Sequence, residues 1–129
     1  MGNKEKGAAA ERELYHLFCA AGFKCVRVAG SGTMQETACD LIVGKFKNKY
    51  SIEVKSCKSK KRYLEPKQIE EFIIFSEIFG LQPFIAVRFN REGWYFLKPQ
   101  QLEKTPRGLA ISLEDAKKKG KRFWDVAEK

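Results

Sequence analysis

Apolar positions along the chain follow two periods. Over residues 8–21, Leu14, Leu17, Phe18 and Ala21 fall at helical spacing and form one stripe, which Gly22 ends. Residues 24–28 have a short strand pattern. Residues 29–38 carry two glycines, Gly30 and Gly32, little bulk and no period, which predicts a loop. Asp40-Leu41-Ile42-Val43-Gly44 is short, apolar and β-branched, and Tyr50-Ser51-Ile52-Glu53-Val54-Lys55-Ser56-Cys57 alternates. Residues 45–49 between them have hairpin length. Lys58-Ser59-Lys60-Lys61-Arg62 reads as a basic loop.

A second helix is expected from Glu65-Pro66, with proline in the first turn, to about Phe79, stopping at Gly80. Ile69, Phe72 and Ile73 make one stripe, and Ile74, Phe75, Ile78 and Phe79 widen it. A helix apolar on two sides must bury both, and in a small domain a partner subunit is the natural cover. Residues 84–89 and 94–98 read as strands joined by the turn sequence Asn90-Arg91-Glu92-Gly93. Ser112 is placed to cap a short helix, and residues 109–129 read as a basic C-terminal extension containing Lys117-Lys118-Lys119-Gly120-Lys121-Arg122. The order helix, three strands, helix, two strands is α/β.

The length of 129 residues fits one domain with one main core. Apolar residues at 43% and charged residues at 32% describe a folded globule. No apolar run reaches the roughly 20 residues of a membrane span, and the first residues lack a signal peptide's apolar stretch. A cytoplasmic, reducing setting is expected. Cys19, Cys25, Cys39 and Cys57 form no CxxC pair and read as small apolar fillers, so a zinc site is not expected. The single histidine, His16, reads as an exposed helix residue and supports no histidine-based triad. A net charge of +9, from 25 Lys and Arg against 16 Asp and Glu, points towards a polyanion.

Strand periodicity then isolates a set of chemically active side chains. Glu53 and Lys55 are two apart, so both point to one face of their strand. If residues 45–48 close the hairpin, Gly44 pairs with Lys49 and Asp40 stands opposite Glu53. Opposed residues of an antiparallel pair hold their Cβ atoms about 4.5–5.5 Å apart. Two carboxylates about 4 Å apart repel by roughly 4 kcal/mol at an effective dielectric near 20. Lys55 relieves part of this, and a hard divalent cation such as Mg²⁺ or Mn²⁺ relieves more. Glu11 lies one turn before Leu14 at the edge of the first helix's buried stripe, where it either aims inward and needs a partner such as a metal or is a solvated edge residue, whereas Arg12 points away. Taken alone, an E-x-K on a strand is most often a surface ion pair. The combination D-x12-E-x-K in a basic chain, behind a Glu-bearing helix, is far more specific.

Asp40 followed by Glu53-Val54-Lys55 is similar to the PD-(D/E)xK nuclease signature, with Cys39 where its proline often stands. Gly7-Ala8-Ala9-Ala10-Glu11-Arg12-Glu13-Leu14, Gly22-Phe23, Arg27-Val28-Ala29-Gly30-Ser31, Ile52-Glu53-Val54-Lys55-Ser56, Tyr63-Leu64, Phe75-Ser76 and Phe79-Gly80 resemble the archaeal Holliday junction resolvases over about residues 5–98. The resemblance implies a single nuclease domain, with a restriction-endonuclease-like mixed β-sheet flanked by helices. It also implies a homodimeric, magnesium-dependent endonuclease that cuts four-way DNA junctions by paired nicks. On that pattern Asp40, Glu53, Glu11 and the Val54 carbonyl serve the metal, and Lys55 and Ser31 serve catalysis. Arg12 and Arg27 meet substrate phosphate, Phe75 and Phe79 pack the dimer, and Gln68 is a weaker candidate. Lys58, Lys60, Lys61 and Arg62, just past the strand, are expected beside the site on DNA phosphates. Sliding clamps and repair helicases are the accessory partners that the family implies. A restriction-type or general repair nuclease, or a non-catalytic DNA-binding dimer, would carry much of the same pattern.

Overall fold

A computed structural model describes the backbone of residues 3–28 and 39–128, with side chains from residue 7 onward. Helix α1 (Asn3–Ala20) leads into β1 (Lys24–Arg27), β2 (Leu41–Lys45) and β3 (Asn48–Cys57). Then follow β4 (Lys61–Leu64), α2 (Pro66–Phe79), β5 (Gln82–Phe89) and β6 (Gly93–Leu97). A 3₁₀ turn at Pro99–Gln101 precedes β7 (Glu103–Thr105), β8 (Gly108–Ser112), α3 (Leu113–Lys119) and α4 (Phe123–Ala127).

The main sheet has the order β1-β2-β3-β5-β6. Only β3 and β5 run parallel, and a parallel pair needs a crossover, which β4 and α2 supply. Alternation along the strands sends Leu41, Ile52, Val54, Ala86 and Phe96 to one face, where they pack with Leu14 and Phe18 of α1 and Phe123 and Val126 of α4. Ile85, Val87, Phe89 and Leu97 go to the other face and meet Ile69 and Phe72 of α2. The domain is therefore a mixed sheet between helices, as the α/β reading expects. A buried hydroxyl pair, Ser51 Oγ and Ser76 Oγ at 2.5 Å, pins the last turn of α2 to β3. Gly80 ends α2 with φ 70, and its N–H donates to the Glu77 carbonyl.

The β2–β3 register is the one that the hairpin length predicts, with Gly44 opposite Lys49 and Leu41 opposite Ile52. Asp40 stands one residue before β2, and its N–H extends the ladder by donating to the Ile52 carbonyl at 3.0 Å.

Two regions differ from expectation. Lys61 and Arg62 are not loop residues but open β4, which pairs with β8 in a separate three-stranded sheet of order β4-β8-β7. Four residues are too few for a visible period, and the partner strand lies more than forty residues away in sequence. Residues 109–128 are not an appendage beyond the core. They form β8, α3 and α4, and bury Ile111, Ala116, Phe123, Val126 and Ala127. Ser112 caps α3 as expected, accepting from the Asp115 N–H at 3.0 Å. Among the cysteines, Cys39 and Cys57 are buried and Cys25 half-buried, but Cys19 is exposed and fills nothing.

Helix α2 has the two apolar sides that its sequence implies. Ile69 and Phe72 are buried, while Ile74, Ile78 and Phe79 are 47%, 75% and 63% exposed. The Phe75 and Phe79 rings stack against each other with centroids 4.5 Å apart.

Phe123 lies against Phe18 with ring centroids 4.9 Å apart. Phe123→Ala is expected to lose about 3–5 kcal/mol in chemical denaturation, the cost of a large core truncation. Lys118→Ala, which breaks only an exposed pair with Glu114, should lose less than about 0.5 kcal/mol. Equal effects would place α4 outside the core.

Candidate active site

The site forms where β3 outruns β2. Glu53 and Lys55 point to the α2 face of β3, beside Ile85 and Val87 of β5. Glu53 is only 5% exposed. Beyond Ile52, β2 supplies no further ladder partner on that edge. The Asp40 carboxylate takes over, accepting the Val54 N–H on Oδ2 at 2.7 Å. This bond fixes an acid at the end of one strand against the backbone of the next. From α2, Gln68 spans the two β3 side chains. Its Nε2 donates to Glu53 Oε2 at 3.0 Å, and its Oε1 accepts from Lys55 Nζ at 3.4 Å. Lys55 Nζ also lies 3.4 Å from Glu53 Oε2. Glu11 comes from α1, on the opposite side of the sheet, and pairs at 3.6 Å with Nη2 of Arg27.

Burial pushes the Glu53 carboxyl up to about 7, with the Asp40 charge adding to the rise and Lys55 opposing it. Glu11 is also raised, first by burial and then by Asp40, while Arg27 and Arg12 act to lower it. Three carboxylates thus feel one another across a small volume. Burial, with help from Glu53 and Asp40, pushes the Cys39 thiol up to about 12, which leaves it an inert wall. The donor set is hard oxygen, suited to Mg²⁺, Mn²⁺ or Ca²⁺ and ill suited to a soft metal. Among the described residues no three His, Cys, Asp or Glu side chains stand at metal-holding spacing. The fit is to a cation that takes one or two carboxylates and otherwise carbonyl and water oxygens, as Mg²⁺ does.

Asp40, Glu53, Lys55, the Val54 backbone and Gln68 therefore come together, and Glu11 joins them electrostatically from across the sheet. Arg27 sits on Glu11, and Arg12 is exposed within reach of the same carboxylate. Ser31 lies outside the described residues. The basic residues expected beside the site scatter instead. Lys58 lines a cleft of about 250 Å³ with Ala10, Glu13, Ser56 and Arg88, on the α1 side of β3. Lys60 is exposed, and Lys61 pairs with Glu103 at 3.6 Å. Arg62 donates from Nη1 to the Ser56 carbonyl at 2.6 Å, tying β4 to β3. Gln68 has the clearest geometric claim among the residues that sequence reasoning held only weakly. Its signal was a polar residue in the first turn of α2, directly before the buried Ile69.

A family model of archaeal Holliday junction resolvases (Hjc) matches residues 2–128. The chain belongs to the archaeal Holliday junction resolvase family. It is 34% identical over 129 residues to the crossover junction endodeoxyribonuclease Hjc of Archaeoglobus fulgidus, covering 95% of each chain. The Methanocaldococcus jannaschii enzyme of the same name is 37% identical over 106 residues, 82% of this chain and 75% of that one. The solved structure of Archaeoglobus fulgidus Hjc superposes with a TM-score of 0.85 at 31% identity, over 96% of this chain and 97% of that one. The fold is accordingly the restriction-endonuclease-like mixed sheet, and nucleases of this type are generally metal-dependent. Among the described residues no helix is long and apolar enough to cross a membrane.

Glu53 holds its proton more tightly in the folded chain than the ordinary carboxylate value of 4.5 allows. The stability that this proton contributes is complete below that value and is lost as pH rises through about 7. Between about pH 5 and about pH 8, the melting temperature of Glu53→Gln should gain on that of the wild type, by the equivalent of a few kcal/mol. A pH-independent difference in thermal denaturation would contradict the buried, charge-crowded setting.

Proposed function

We propose that the chain resolves four-way DNA junctions as a homodimeric, Mg²⁺-dependent endonuclease, with Asp40, Glu53 and Lys55 at the point of phosphodiester hydrolysis. The observation that carries this reading is the Asp40 carboxylate, locked on the Val54 N–H, beside a buried Glu53 whose charge repels it. Membership of a family whose relatives are named crossover junction endodeoxyribonucleases supplies the substrate class.

Asp40, Glu53 and the Val54 carbonyl would hold the cation, with Glu11 as a further acid. A divalent cation, when bound, offsets charge on a phosphate oxygen and lowers the pKa of water. The chain's own groups do the remaining work. Glu53 and Gln68 hold the Lys55 ammonium on two sides, so that it can orient a water or steady charge developing on phosphate. Because Gln68 is neutral, it restrains both groups without adding charge. Arg12 and Arg27 are assigned to substrate phosphate, Ser31 to catalysis, and Lys58, Lys60, Lys61 and Arg62 to wider contacts with the backbone.

Paired nicks require two such centres at a fixed separation about a two-fold axis. The uncovered face of α2, with Ile74, Ile78 and Phe79, and the half-buried Phe75 whose ring packs on Phe79, is the surface assigned to that axis. A reducing cytoplasm suits the four free cysteines.

Asp40→Asn and Glu53→Gln are each expected to reduce cleavage of a four-way junction in Mg²⁺ by at least about a hundredfold while junction binding in gel shift persists. Cutting at wild-type rate by either variant would remove the assigned centre. Equal wild-type rates on a junction and on linear duplex would favour a general nuclease of the same type. The double variant Phe75→Ala with Phe79→Ala should sediment as a monomer or an aggregate, and a dimer of wild-type affinity would place the interface elsewhere.

A further inference from the structure

The three-stranded sheet β4-β8-β7 turns one face away from the core. On β4, Leu64 packs inward and Arg62 reaches back to β3, so alternation directs Lys61 and Tyr63 outward. Tyr63 is 42% exposed and stands in one row with Glu103, the two flanking Ala110, which is itself fully covered. The β7–β8 turn delivers a cation to its ring. Thr105 Oγ1 accepts the Arg107 N–H at 3.2 Å and donates to the Gly108 carbonyl at 3.0 Å. Gly108 has φ 119, and a Cβ there would come within 3.2 Å of Pro66, so the turn is held tightly against the start of α2. The guanidinium carbon of Arg107 lies 4.6 Å from the Tyr63 ring centroid, and Lys61 Nζ lies 5.4 Å from it. Glu103 engages Lys61, but among the described residues no carboxylate lies at ion-pair distance from Arg107. A guanidinium held over a ring is positioned in advance and keeps its N–H donors free at its edge, where a phosphate can receive them.

We propose that this face is a second DNA contact, in which Arg107 and Lys61 bind backbone phosphates of the arm leading away from the cut and Tyr63 holds Arg107 in position. The choice of DNA as ligand rests on the nuclease reading, whereas the surface itself rests on the charge and placement of Arg107, Lys61 and Tyr63. Tyr63 is five residues from Gln68, so their Cα atoms are less than about 18 Å apart. That is about half a turn of B-form DNA, so one duplex arm can span both places. Contacts of this kind read no bases. They add affinity, and each adds close to one unit to the slope of log Kd against log salt.

The test uses Arg107→Gln in the full chain, with binding measured over a salt series on both a four-way junction and a linear duplex. Affinity should fall about fivefold to tenfold on both DNAs, and the salt slope should fall by about one. Under single-turnover conditions the loss should sit in the concentration dependence of cleavage rather than in the rate at saturation. Arg107→Lys should keep the slope, Tyr63→Phe should keep both affinity and slope, and Tyr63→Ala should behave like Arg107→Gln. Unchanged affinity and slope in a folded Arg107→Gln protein would overturn the proposal while leaving the nuclease reading intact. A loss confined to the saturated rate would also overturn it. A wild-type protein whose DNA binding depends on Arg107 but which cuts no junction would instead sink the nuclease reading and leave this surface standing.

Discussion

Burying a carboxylate on a sheet face built for apolar side chains is the constraint on which this structure turns. The α2 face of the sheet is otherwise filled by Ile85, Val87, Leu97, Ile69 and Phe72. Glu53 occupies a position that packing alone would give to a residue like these. A lone buried acid is costly and is tolerated only when protonated, hydrogen-bonded or paired with positive charge. Here the chain uses all three means in part: a raised pKa, an amide donor from Gln68 and the Lys55 ammonium. None is complete, because Asp40 and Glu11 restore negative charge from two other directions. The incompleteness leaves room for a cation.

The same constraint explains how distant pieces are brought together. Among the described residues β3 runs on past the end of β2, and at that opening Asp40 meets its backbone with a side chain rather than with another ladder residue. The opening admits α1 from one side, carrying Glu11, while α2 covers the other with Gln68. A site inside an unbroken sheet face could be reached from one layer only. Here both helical layers contribute, and each is anchored away from the chemistry: α1 through Leu14 and Phe18, α2 through Ile69, Phe72 and the Ser51–Ser76 hydroxyl pair.

What the sequence discloses follows from how local each interaction is. The β2–β3 hairpin is closed by a short turn, so counting residues from Gly44 and Lys49 is enough to set Asp40 against Glu53. Glu11 is legible only in part, since the helical stripe puts it at the edge of the buried side and its partners lie on other elements. By contrast, β4 is recognisable only with β8 beside it, and no count along residues 58–64 reveals a partner near residue 110. Lys61 and Arg62 then look like free loop cations, although pairing turns one to an outer face and ties the other to the Ser56 carbonyl. The final residues hide their role because their lysines dominate the composition while Phe123 and Val126 do the packing.

In the proposed dimer, helix α2 would connect chemistry to symmetry. Its first turns hold Gln68 against Glu53 and Lys55, and its last turns carry Ile78 and Phe79 into the open, with Phe75 half-buried against the core. From Gln68 to Phe79 is eleven residues, or about 16 Å along one rigid rod at 1.5 Å per residue. In the proposed dimer, whatever packs on the exposed end thereby sets the position of the reacting groups at the other end. Ser76 fixes that rod to β3 between the two, with its hydroxyl against Ser51 and donating to the Phe72 carbonyl. A flexible tether could hold two subunits together, but it could not keep two catalytic centres at one spacing across a branch point. A helix clamped near its exposed end can, and in the proposed dimer this would account for an apolar surface that is otherwise a liability on a free monomer.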